Sequence, residues 1–225
     1  MQKVLTKEIA EEWLADVSSH DLNKFTVIDD AAAEYLSKCM SDPNWPLELE
    51  GLTELSDEAA KSLSKHKSCR LELPSLTRLS DAGAKSLSKY KGSLTLDGLT
   101  ELSDAAAESL SKHKGERAAS GGGLFLNGLT ELSNGAAESL SKHKGNHLSL
   151  NGLTKLSDEA AESLGKHKGY LDLDALTPEP SIVREMNDLA MPELSDAAIE
   201  SLSKHEGEIS GLEPEEWAEE FKGNQ

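Results

Sequence analysis

From Leu47 to Gly207 the hydrophobic positions pass between two periods in fixed succession. Leu148, Leu150 and Leu153 open with a short alternation, which predicts a strand with one buried face. Ala160, Ala161, Leu164 and His167 then fall at i, i+1, i+4 and i+7, a stripe along one side of a helix. Polar residues punctuate the change of period. Ser157 is suited to the N-cap, and Asp158 and Glu159 to the positive end of the helix dipole. Lys166 and Lys168 suit the negative end, and Gly169 is placed to adopt a left-handed conformation after the helix.

This strand-then-helix unit recurs. Ser56, Ser80, Ser103, Ser133, Ser157 and Ser195 occupy the same place in successive units, at steps of 24, 23, 30, 24 and 38 residues. A fixed period in the twenties predicts a solenoid, in which each unit buries its apolar face only against its neighbours. The two long steps mark insertions, Glu116 to Gly122 and Pro178 to Met191, the second with a helix predicted from Ile182 to Leu189. Parallel strands stack about 4.8 Å apart and helices about 8–10 Å apart, so the stack must curve with its strands inside. The expected architecture is an α/β solenoid with a parallel sheet on the concave face, helices on the convex face and helical caps. An imperfect first unit runs from Phe25 to Cys39. Ile9, Trp13 and Val17 form an apolar stripe before it, and Trp217 and Phe221 lie four apart after the last unit. The chain therefore divides into a cap over residues 1–24, a solenoid of about seven units over 25–212, and a capping segment over 213–225.

Leu148, Leu150, Leu156, Ser157, Asp158 and Leu164 resemble the leucine-rich repeat family, in particular its cysteine-containing subtype. The resemblance implies the fold and says little of function, because the matching residues are scaffold. One departure concerns the Cys or Asn that ties the loop backbone in that family: here the position is Leu52, Leu76, Leu99, Leu129 or Leu153. The adjacent Thr53, Thr77, Thr100, Thr130 and Thr154 are expected to supply those hydrogen bonds.

Charge narrows the choice of partner. A formal net charge of -18 argues against nucleic acid, which requires a basic surface. It favours basic or polar partners. No apolar run is long enough to span a membrane, and Met1 to Trp13 lacks a signal-peptide core, which leads to the expectation of a soluble cytoplasmic protein. Cys39 and Cys69 are expected as thiols rather than a disulfide.

Between the inward leucines, three columns of residues should face the concave side. The first holds Pro46, Arg70, Ser93, Gly123, His147 and Tyr170; the second Glu48, Glu72, Thr95, Phe125, Ser149 and Asp172; the third Glu50, Pro74, Asp97, Asn127, Asn151 and Asp174. These positions vary while their neighbours repeat. Phe125, His147 and Tyr170 are candidate anchors for a protein or peptide, with Glu48, Glu50, Glu72, Asp97, Asn127, Asn151, Asp172 and Asp174 as flanking selectors of a basic segment. Two plainer readings stand beside this one: Phe125 covers apolar surface beside the glycine loop, and the acids form a solvated face.

Other constellations carry less. His66, His113, His143, His167 and His205 share one repeat position, but helix spacing should hold them too far apart for common metal coordination. Tyr90 stands at that position in another unit, which suits packing. Lysines at one rim and aspartates at the other complement the helix dipoles; an anionic partner on the lysine rim is the alternative. No nucleophile elbow, phosphate loop or zinc motif is present, so neither an enzyme nor a cofactor is expected. A structural or self-assembling scaffold remains the alternative to a binding module.

Overall fold

A computed structural model describes residues 2–39, 45–116, 122–176 and 194–222. The helix expected within 182–189, most of the Glu116 to Gly122 insertion and the side chain of Cys39 lie outside these residues.

The chain begins with strand β1 (Val4–Leu5) and helix α1 (Lys7–Ala15), followed by β2 (Val27–Ile28) and α2 (Asp30–Cys39). Strand β1 pairs in parallel with β2, and Val27 bridges Glu54 of the following unit. Each of these strands precedes its own helix, and the pair is separate from the main sheet. Ile9 and Trp13 pack against the core from α1, whereas Val17 lies beyond the helix end and is 59% exposed. The expected stripe thus loses its third member, because the helix stops at Ala15.

Six strands follow, β3 (Leu47–Glu48), β4 (Arg70–Glu72), β5 (Ser93–Thr95), β6 (Gly123–Phe125), β7 (His147–Ser149) and β8 (Tyr170–Asp172). They form one parallel sheet in sequence order, as the repeat predicts. Helices α3 (Asp57–Leu63), α4 (Asp81–Leu87), α5 (Asp104–Leu110), α6 (Asn134–Leu140), α7 (Asp158–Leu164) and α8 (Asp196–Leu202) stack on the other side. A last helix, α9 (Pro214–Lys222), packs against α8 and carries Trp217 and Phe221, both buried.

The register explains the core. Leu47, Leu71, Leu94, Leu124, Leu148 and Leu171 align strand to strand. Each is fully buried, as are the alanine pairs and the closing leucines of α3, α6 and α7. Burying one such leucine contributes about 1.5–3 kcal/mol, and the alanines let helices approach closely.

A second set of contacts ties the layers together. Ser133 Oγ accepts from Ala136 N–H as an N-cap and donates to Asp104 Oδ1 of the preceding layer at 2.5 Å. Ser56 reaches Asp30 and Ser103 reaches Asp81 in the same way, each at 2.5 Å. Ser80 donates to Asp57, Ser195 to Asp158, and Ser157 to Asn134. The Ser-Asp pair of each unit is therefore a ladder running the length of the helix face, beyond its local role at the helix start. Ser133→Ala is expected to cost about 1–2 kcal/mol, through loss of the cap and of Asp104's partner. The shift of the urea midpoint measures it, and a change within error would assign the ladder no energetic role.

The helix C-termini depart from expectation. The repeat helices end at Leu63, Leu87, Leu110, Leu140, Leu164 and Leu202, so the paired lysines follow the last turn instead of lying in it. Gly165, the C-cap of α7, stays right-handed, and Gly169 lies at the entry to β8. Its φ of +148° and the Asn146 carbonyl, 2.7 Å from where a Cβ would sit, account for glycine there.

Candidate functional site

The first two columns lie on the strands, and the third falls two residues beyond each strand end. Arg70 aligns with Ser93, and Gly123 with His147 and Tyr170; Glu48, Glu72, Thr95, Phe125, Ser149 and Asp172 align across the whole sheet. Alternation along each strand turns these side chains away from the leucines.

Phe125, His147 and Tyr170 form one row. The Phe125 and His147 rings meet edge to face with centroids 5.0 Å apart, and His147 meets Tyr170 likewise at 4.8 Å. Such contacts favour the arrangement beyond the area they bury. Phe125 also lies over Gly123: a Cβ there would stand 2.5 Å from its ring. The glycine therefore makes room for the phenyl ring to lie down on the sheet, which leaves it half-buried rather than projecting.

Asp172 holds the row together. His147 Nε2 lies 2.8 Å from Asp172 Oδ2, and Ser149 Oγ donates to the same oxygen at 3.1 Å and to Asn127 Oδ1 at 2.7 Å. Burial pushes the Tyr170 phenol above its ordinary value, and the charges of Asp172 and Asp174 add to the effect. Ser149 and His147 both address Asp172 and not each other, so the three do not form a nucleophile–base relay.

The third column has a scaffold task that the sequence reading missed. Asp97 Oδ1 accepts from the Asn127 N–H, Asn127 Oδ1 from the Asn151 N–H, and Asn151 Oδ1 from the Asp174 N–H, each at 3.0 Å. Asn23 does the same for Glu50 at 3.3 Å. Pro74 has no N–H to offer, and the ladder breaks there. These links take over the role expected of the threonines. Of those five threonines only Thr53 and Thr154 use their hydroxyls, at 3.3 and 3.5 Å, on the carbonyls of Thr26 and Thr130. Of the acids, Glu72 pairs with Arg70 at 3.2 Å and Glu50 accepts from Asn23. Glu48 and Asp174 are exposed and make no side-chain hydrogen bond among the described residues.

Trp45 was also missed. It is 56% exposed and precedes β3 at the position of Gly92 and Gly169 in later units. With Trp13, Val17, Pro46 and Glu48 it lines a cleft of about 400 Å³ at the first end of the sheet. The signal was present: a tryptophan where other units carry small or polar residues.

The five repeat-position histidines are buried, His113, His143, His167 and His205 stack, and their spacing corrects the expectation. Ring centroids lie 5.8 Å apart for His113 and His143, 6.0 Å for His143 and His167, and 6.1 Å for His167 and His205. The rings follow the helices, in the turn towards the strands, where the layers are closer than helix axes are. His113 and His205 bond the carbonyls of Gly92 and Gly169 at 2.8 and 2.9 Å. Tyr90, in the same place, donates to the Ser68 carbonyl at 2.8 Å. Burial pushes His143 down to about 3, helped by His113 and His167, and pushes His167 down to about 4, helped by His205. His113 is lowered by burial too, with its Gly92 bond opposing. No group of three or more His, Cys, Asp or Glu side chains among the described residues is placed to share a metal ion.

Taken together, these features define a repeat-built α/β solenoid that displays a non-repeating polar and aromatic surface on its sheet. No family model matches the chain, and no curated protein matches it significantly. Among the described residues no helix is long and apolar enough to cross a membrane.

Proposed function

We infer that the chain is a leucine-rich-repeat protein of the cysteine-containing type, and that its concave strand face binds a protein or peptide without catalysis. The Leu, Ser and Asp positions of the repeat and the parallel strand-helix stack support the family. The observation that carries the function is the Phe125–His147–Tyr170 row, three aromatic rings packed edge to face where the scaffold requires none. Rigid aromatic side chains are the usual anchors of protein interfaces. The half-buried Phe125 ring presents a flat platform, and Asp172 fixes the imidazole beside it. Glu48 at one end and Asp174 at the other favour a basic segment laid across the strands. The cytoplasm and a soluble state belong to the same reading.

Peptide display tests it. Wild-type protein should enrich peptides that combine an apolar or aromatic residue with nearby Lys or Arg, and Phe125→Ser/Tyr170→Ala should lose that enrichment at unchanged thermal stability. Equal enrichment by the variant would remove the site from this face. A concentration-dependent oligomer in light scattering, with no peptide enriched, would favour a self-assembling scaffold instead.

A further inference from the structure

On the opposite, helical side one position separates the helices into two kinds. The fifth residue of α2, α5, α6, α7 and α8 is glutamate, and each pairs with the lysine four residues on: Glu34 with Lys38, Glu108 with Lys112, Glu138 with Lys142, Glu162 with Lys166, Glu200 with Lys204. In α3 and α4 that residue is Lys61 or Lys85, while the later lysines, Lys65 and Lys89, are kept. Two adjacent helices thus forgo an ion pair that every other repeat helix has, and set like charges four apart, which opposes helix stability. Lys61 falls back on Glu58 at 3.0 Å; Lys65, Lys85 and Lys89 form no ion pair among the described residues.

Shape accompanies the charge. A cleft of about 720 Å³ lies between α4 and α5, with Ala82 and Ala105 in its wall, and a second of about 390 Å³ lies between α3 and α4. Lys89 and Lys91 line both, so the two clefts adjoin and share a border of lysines. Seven lysines and three carboxylates border them, in a chain whose net charge is -18. The three carboxylates are engaged: Glu108 with Lys112, Glu116 with Lys91 and Lys114, and Asp81 with Ser103.

We propose that these adjoining clefts form a second binding site, distinct from the strand face, and that its occupant is an acidic amphipathic peptide segment of a partner protein. Alanines and lysine stems offer an apolar wall, and the unpaired ammonium groups offer counter-charges along its border. Lysine rather than arginine suits it to carboxylates met singly instead of a planar anion gripped by two bonds. The strongly acidic remainder of the chain repels extended polyanions, so a short acidic segment fits where nucleic acid does not.

The test restores the pattern of the other units. In Lys61→Glu/Lys85→Glu both helices regain a Glu-to-Lys pair, so the variant should melt no lower than the wild type. A fluorescein-labelled peptide with Glu on its polar face and Leu on its apolar face is titrated by anisotropy against both proteins at low salt. Saturable binding to the wild type, weakened about tenfold or more in the variant and reduced by added salt, is the expected result. Equal affinity for both proteins, or no saturable binding to the wild type, overturns the proposal. Tripolyphosphate displacing the peptide as well as unlabelled peptide does would also overturn it, by making the clefts a small-anion site.

Discussion

Lowering the pH from about 7 to about 5 should strip roughly 4 kcal/mol from the stability of this protein. His143 and His167 are held neutral in the folded chain, with values pushed down to about 3 and about 4. In the unfolded chain both titrate near the ordinary value of about 6.5. The folded state therefore binds fewer protons below that value, and stability falls from about pH 6.5 down towards the folded values. At pH 5 each residue remains neutral when folded and is mostly protonated when unfolded, which costs about 2 kcal/mol apiece. Most carboxylates are still ionised there, so the loss belongs to the imidazoles. Urea midpoints measured across this range for wild type and for His143→Gln/His167→Gln check it: the variant's profile should be flatter. Parallel profiles would show that the stacked rings do not set the acid limit.

Truncating Trp217 to alanine should be about as damaging, at roughly 3–5 kcal/mol. The side chain has no exposed surface and packs at 4.8 Å against Phe221, beside the last repeat helix. A solenoid's stability is close to a sum over layers and the interfaces between them, so the damage should start at one end. Hydrogen exchange should quicken first in α8 and β8, before β4 and β5 respond. Uniform acceleration along the sheet would mean that the stack unfolds as one unit.

The sheet order, the strand register, the N-cap serines and the buried leucines are all legible in the repeat itself. These follow from local spacing, and every unit states them again. Contacts between units are harder to read, because one unit says nothing of the offset to the next. Asp104 reads as a dipole partner, and only stacking shows it accepting from Ser133. Asn127 reads as an exposed selector, yet its carbonyl oxygen holds the next layer's backbone. Helix spacing overstates the distance between the histidines, because these residues lie beyond the helix ends. Phe125 stands out in the sequence as an aromatic, but its posture depends on the empty space at Gly123, two residues away on the same strand. Lys61 and Lys85 are visible as letters; their meaning comes from five partnered helices seen beside two that are not.

The serine-to-aspartate ladder has a consequence for how such a chain changes over generations. Each rung joins the serine of one unit to the aspartate or asparagine of the unit before it, so every unit carries one half of each of the two rungs beside it. Ser157 meets Asn134 where Ser133 meets Asp104, and an amide serves as well as a carboxylate. Excising one whole unit, or copying one, would present every remaining serine with an acceptor it is already shaped to use. Gene-level gain and loss of units therefore alters the reach of the molecule without demanding a single new kind of contact, and array length becomes a trait that selection can adjust in steps.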